Sequence, residues 1–172
     1  MERISDAMLR EHKRLHDILE RLEESLEYDN KNWKELFNKF KWSLKKHFFI
    51  EEKVIFEICN SNCGEKIPEI FNLMKEHGEI IYLMSKIDSE LNVIVKAINF
   101  LPSTMAFPNK SRRRMVDISV LDYNLRKNLL EIKEKLIKHS NFEDNNFYPL
   151  LDEKLSEERK LEILSRVKEI VR

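Results

Sequence analysis

Apolar residues spaced alternately by threes and fours run through almost the whole chain, and at matching points the same stripes carry histidine and glutamate instead. The clearest is Trp33, Phe37, Phe40, Leu44, His47, Glu51, Val54 and Ile58, a helical register that places every member on one face. An ionised glutamate on a core face costs several kcal/mol unless it is paired or binds a metal. The chain must therefore fold into packed helices and also satisfy polar groups inside them.

The pattern around that glutamate occurs twice. His47-x-x-x-Glu51-Glu52 is followed by Phe56, and His139-x-x-x-Glu143-Asp144 by Phe147, Tyr148 and Pro149. Histidine and glutamate four apart on a helix aim at one point. Each copy is preceded by a segment carrying Glu-His, at Glu11-His12 and Glu76-His77. His12 falls between Met8 and Leu15 on its stripe, and His77 lies in line with Ile70, Met74, Ile81, Met84, Asp88, Leu91, Val95 and Ile98.

With 172 residues, two glycines and four prolines, the chain is long enough for one core and has few breaks. The expected elements are a helix from Ser5 or Asp6 to about Tyr28, a second from Asn32 to Asn60, a third from Ile67 to Asn99 and a fourth from Arg112 to Phe147. The first is capped by Ser5 or Asp6, Gly64 ends the second and Pro149 closes the fourth. A shorter amphipathic helix, about 156–171, carries Leu161, Leu164, Val167 and Val171 across the bundle end. The fold class is all-α: a single domain over 1–172, an up-down-up-down four-helix bundle of about 5–151 with an additional C-terminal helix. Helices three and four overhang the first pair by about ten residues, or about 15 Å at the helical rise. The overhang, tipped by a loop at about 100–111, is a candidate lid or homodimer contact.

Charge excludes some roles. Lys plus Arg and Asp plus Glu both number 31, so no global pull toward nucleic acid or anionic lipid is expected. Arg112-Arg113-Arg114 reads first as a solvated helix start. There is no signal-like run at the N-terminus and no apolar stretch long enough to span a membrane, so a cytoplasmic protein is expected. Cys59 and Cys63 lack redox or zinc-knuckle spacing and read as structural or free thiols.

Folded as a bundle, the chain brings His12, His47, His77 and His139 together with Glu51 and Glu143. Imidazole with carboxylate suits iron, manganese or zinc and disfavours calcium and magnesium. His16, four residues after His12, is open between a fifth nitrogen ligand and a residue that holds a ligand by hydrogen bond. Tyr82, Tyr123 and Tyr148 are the tyrosines nearest the stripes and are expected to pack in the core with bonded hydroxyls. Glu11, Glu52, Glu76 and Asp144 read as outward-facing charges.

Taken together, Glu11-His12, His47-x-x-x-Glu51-Glu52, Glu76-His77 and His139-x-x-x-Glu143-Asp144 with Phe147-Tyr148-Pro149 resemble the hemerythrin-like family of HHE cation-binding domains, over about residues 5–151. The resemblance implies a non-haem di-iron centre with four terminal histidines, bridges from Glu51 and Glu143, and a small ligand: dioxygen, peroxide or nitric oxide. An electron donor or an iron-accepting protein is the implied partner. Oxygen-carrying hemerythrins have two histidines four apart on the third helix, whereas Leu73 and Ile81 flank His77 here. The residues are closer to the branch linked to repair of iron centres after nitrosative or oxidative stress, without that branch's cysteine-bearing N-terminal domain. Iron delivery or storage, and a sensor or interaction module with a structural metal, are the competing readings.

Overall fold

The structure, a computed structural model, describes residues 2–27, 33–62, 67–99 and 110–171, apart from the side chains of 61–62, 93–99 and 110–122. Among these residues every regular element is helical. Helix α1 spans Ile4–Glu27, α2 spans 33–62, α3 spans Pro68–Asn99, α4 spans 110–154 and α5 spans Glu157–Val171. Helix α1 packs on α2, α3 packs on α4, and α4 closes against α1, so the first four form the expected bundle.

Two apolar layers separate inside it. One gathers Leu15, Leu19, Leu22, Phe37, Phe40, Leu44, Ile80, Leu83, Ile87 and Leu136. The other gathers Ile4, Met8, Ile50, Val54, Phe56, Leu73, Phe147, Tyr148 and Leu164. The polar residues of the stripes lie between the two, because each helix carries its histidine or glutamate where one apolar run gives way to the next.

Several expectations change in detail. On α3 the buried register is Leu73, Ile80 and Ile87, and Met74 is 48% exposed. Both registers pass through Ile70, His77 and Met84, but the expected one would bury Asp88. That carboxylate instead stays partly exposed and accepts from Lys41 Nζ at 2.8 Å. On α5, Ile163 is buried and Leu161 is exposed. Tyr82 and Tyr123, expected in the core, are also exposed.

Helix ends differ as well. The first N-H groups of α1 are capped from the far end of the chain: Ile4 and Ser5 donate to Asp152 Oδ1 and Oδ2 at 2.8 and 3.1 Å. Asp6 instead pairs with Arg3 at 2.8 Å. Pro149 does not close α4, which continues to Lys154. The reason lies in the turn before it, Glu143–Phe147, which is π-helical, with the Tyr148 N-H bonded to Glu143 O. A widened turn relieves the clash and lost hydrogen bond that proline causes inside an α-helix. Helix α2 has a matching π turn at Glu51–Phe56 and runs on to Asn62.

Helix α5 lies on α1 and on the π turn of α2. It is held by Lys46 Nζ donating to Val171 O at 3.0 Å and by Arg166 donating to Lys53 O at 3.2 Å. Ser156 Oγ caps its start, accepting from Arg159 N at 3.4 Å. Cys59 is buried in the apolar layer containing Ile4. Cys63, Gly64 and the 100–109 part of the candidate lid loop lie outside the described residues, as do the side chains of Arg112-Arg113-Arg114. No helix among the described residues is long and apolar enough to cross a membrane.

The Asp152 cap ties the last turns of α4 to the start of α1. Asp152→Ala should lower unfolding stability by about 1 kcal/mol, the usual cost of a lost N-cap. Urea denaturation checks this, and an unchanged midpoint would show that α1 does not need the cap.

Candidate metal centre

Four histidines and two glutamates converge between the apolar layers. His12, His47, Glu51 and Glu143 form one group, and Glu51, His77, His139 and Glu143 a second, with donor atoms within 4.8 Å of one another in each. The two groups share both carboxylates. All six side chains are at most 2% exposed.

The helical spacing supplies the aim. His47 Nε2 lies 3.2 Å from Glu51 Oε1 on the same helix, and His139 Nε2 lies 3.2 Å from Glu143 Oε2. Glu51 reaches across to His77 Nε2 with Oε2 at 3.1 Å, and Glu143 reaches His12 Nε2 with Oε2 at 3.3 Å. Within each pair the nitrogens face each other, His12 to His47 and His77 to His139, both at 3.1 Å. Each carboxylate thus spans both histidine pairs.

Outside this core sits a ring of carboxylates that orients the imidazoles. His12 Nδ1-H donates to Asp144 Oδ1 at 2.9 Å, His77 Nδ1-H to Glu52 Oε1 at 2.9 Å, and His139 Nδ1-H to Glu76 Oε2 at 2.7 Å. The carboxylate acceptor fixes the tautomer and leaves Nε2 aimed inward. Asp144, Glu52 and Glu76 were expected to face solvent; they are only partly exposed, because their histidines hold them inward. His47 Nδ1 is buried and has no hydrogen-bond partner.

Tyr148 is the residue that the stripe register did not place in the site. It is fully buried, and its hydroxyl donates to Glu51 Oε1. Tyr148 lies five residues after Glu143, and an i to i+5 turn brings such a residue back to nearly the same face. Phe56 occupies the matching place after Glu51 and stacks near His77 at 6.0 Å. A sequence signal existed, since both copies carry an aromatic residue five positions beyond the glutamate. His16 is not drawn into either group; its Nε2 lies 3.1 Å from Ser140 Oγ.

Burial and the close contacts within the cluster shift its ionisable groups in opposite directions. Burial opposes a charge on His12, but its bond to Asp144 and the close Glu143 carboxylate outweigh this and raise its pKa to about 10. Burial likewise works against His77, which Glu51 and Glu52 nevertheless raise. Burial keeps the partner of each neutral, lowering His47 and taking His139 to about 4. Glu51 stays ionised: burial would raise it, but His47 and His77 hold it well below the usual carboxylate range. Burial and the neighbouring Glu51 charge push Glu143 well above that range. Burial, with Glu143 and Glu51 nearby, also raises Tyr148, so its phenol keeps the proton.

The residues fit a metal. Glu51 Oε2 and both oxygens of Glu143 are buried without a hydrogen-bond partner, although burying such groups unsatisfied is costly. Imidazole nitrogens converging on shared carboxylates make a donor set for first-row transition ions.

A family model described as the Hemerythrin HHE cation binding domain matches residues 3–107. That span contains His12, His47, Glu51 and His77, while His139 and Glu143 lie beyond it and join the cluster through the fold. The chain is 27% identical over 167 residues to an uncharacterized hemerythrin-like protein of Schizosaccharomyces pombe, covering 96% of this chain and 67% of that protein. No solved structure matches the chain significantly.

Metal binding must displace the protons on His12, His77 and Glu143, so apparent affinity should rise with pH through the neutral range. Adding iron(II) or zinc to the metal-free protein in weak buffer at neutral pH should acidify the solution. A pH-stat titration showing no proton release would contradict this reading.

Proposed function

Since the chain belongs to the hemerythrin family of HHE cation-binding domains, we propose that its cluster holds two iron ions and uses them to bind and reduce dioxygen, peroxide or nitric oxide. The observation that carries this is the sharing of two fully buried carboxylates, Glu51 and Glu143, between two histidine pairs. His12 and His47 would hold one ion, and His77 and His139 the other. A pair of irons supplies electrons and open coordination positions for small oxidants and radicals.

The chain's own residues control that chemistry. Phe48 stacks on His77 with ring centroids 3.8 Å apart, fixing the imidazole and keeping water from its face. The Nδ1-H bonds of His12, His77 and His139 raise the basicity of the inward nitrogens. Tyr148 holds a phenolic proton on Glu51 Oε1, where it is available to a reduced product that needs protonation. With His77 as the one α3 histidine of the cluster, the nitrogen supply is equal on both sides. The depth of all six side chains favours retention of the metal over its delivery to another protein.

Anaerobic loading should give two irons per chain, and a visible absorption should then develop with dioxygen and change with nitric oxide. Less than one iron per chain, or a spectrum indifferent to both gases, would remove the proposal.

A further inference from the structure

The two halves of the site are related by the sequence repeat, but the ring of outer carboxylates is complete in only one of them. In the second half, Glu76 precedes His77 and accepts from His139 Nδ1 at 2.7 Å. Its counterpart in the first half is Glu11, which precedes His12 and would be the acceptor for His47 Nδ1. That bond is not made: His47 Nδ1 and Glu11 Oε2 are both buried and lack hydrogen-bond partners.

The two halves also differ at the residue one turn further along. After Glu76 comes Glu79, whose carboxylate is taken up by Lys135 Nζ at 2.7 Å and offers Glu76 no attraction. The matching residue after Glu11 is Arg14, whose Nη2 lies 3.4 Å from Glu11 Oε2. At that distance the Arg14 cation attracts the Glu11 carboxylate toward the outer side without a hydrogen bond between them. Aromatic support is unequal too: Phe48 lies flat on His77 at 3.8 Å but is tilted and 6.0 Å from His47. Access does not separate the halves, because cavities of about 230 Å³ and about 380 Å³ adjoin Glu11 and Glu76.

We infer that the two metal positions are unequal, and that the position between His12 and His47 is the exchangeable one because Arg14 holds Glu11 off His47. Carboxylates that orient a ligating histidine change metal affinity about 10–100-fold. The His77 and His139 position has both imidazoles anchored. The other has only His12 anchored, through Asp144. The inference rests on the proposal that the cluster binds two ions, but not on their being iron or on redox chemistry.

The test is release of metal from the full-length protein loaded with two zinc ions, followed with a chromogenic chelator. Release should be biphasic with equal amplitudes and rates at least about 10-fold apart. Arg14→Leu, a change at a partly exposed side chain, should slow the fast phase by letting Glu11 reach His47. Glu76→Ala should accelerate the slow phase toward the fast one, while Glu11→Ala leaves both phases near wild type. Circular dichroism confirms that each variant remains helical. Single-phase release from wild type overturns the inference while leaving the two-metal proposal standing. So does acceleration of the fast phase by Glu11→Ala, since Glu11 would then already serve His47. A protein that takes up less than one zinc overturns both.

Discussion

The burial of two carboxylates between two apolar layers governs this structure. Glu51 and Glu143 are 0% exposed, each on a helix whose buried face is otherwise mostly aliphatic or aromatic and carries one histidine. Leaving such groups uncompensated costs several kcal/mol each, a large part of the net stability of a domain. Four helices must each bring one histidine to the same level to meet that cost. The level of the histidines then sets how the helices align, so the bundle's register and the site are one constraint.

From that layer outward the chain repeats one device. An inward nitrogen faces a glutamate, and the outward nitrogen of the same ring donates to a second carboxylate nearer the surface. The His12, His77 and His139 rings are each fixed at both ends. The π turns after Glu51 and Glu143 extend the layer on one side by bringing Phe56 and Tyr148 over it. Phenylalanine in one half and tyrosine in the other make the two sides chemically different: only Glu51 receives a hydroxyl. The His47 ring, fixed at one end, is the place where the repeat is incomplete.

Much of this was legible in the residues. The three-four spacing identified the helices, and the interruptions at His12, His47, Glu51, His77, His139 and Glu143 identified the cluster that the fold brings together. Legibility failed where the α-helical period failed. Tyr148 falls off the stripe of α4 under a strict α-helical count, and Pro149 reads as a stop, yet one widened turn changes both. It also failed where contacts depend on distant parts of the chain, as with Asp152 capping α1, or Asp144 meeting His12 across the bundle. On α3 two apolar registers competed, and the charge at Asp88 decided between them.

The two proposed metal positions share Glu51 and Glu143. Anomalous diffraction at the iron edge, from crystals of the iron-loaded protein, addresses that directly. Two peaks inside the bundle are predicted, one against His12 and His47 and one against His77 and His139, with Glu51 and Glu143 contacting both. A single peak, or iron bound only at surface carboxylates, would contradict the account.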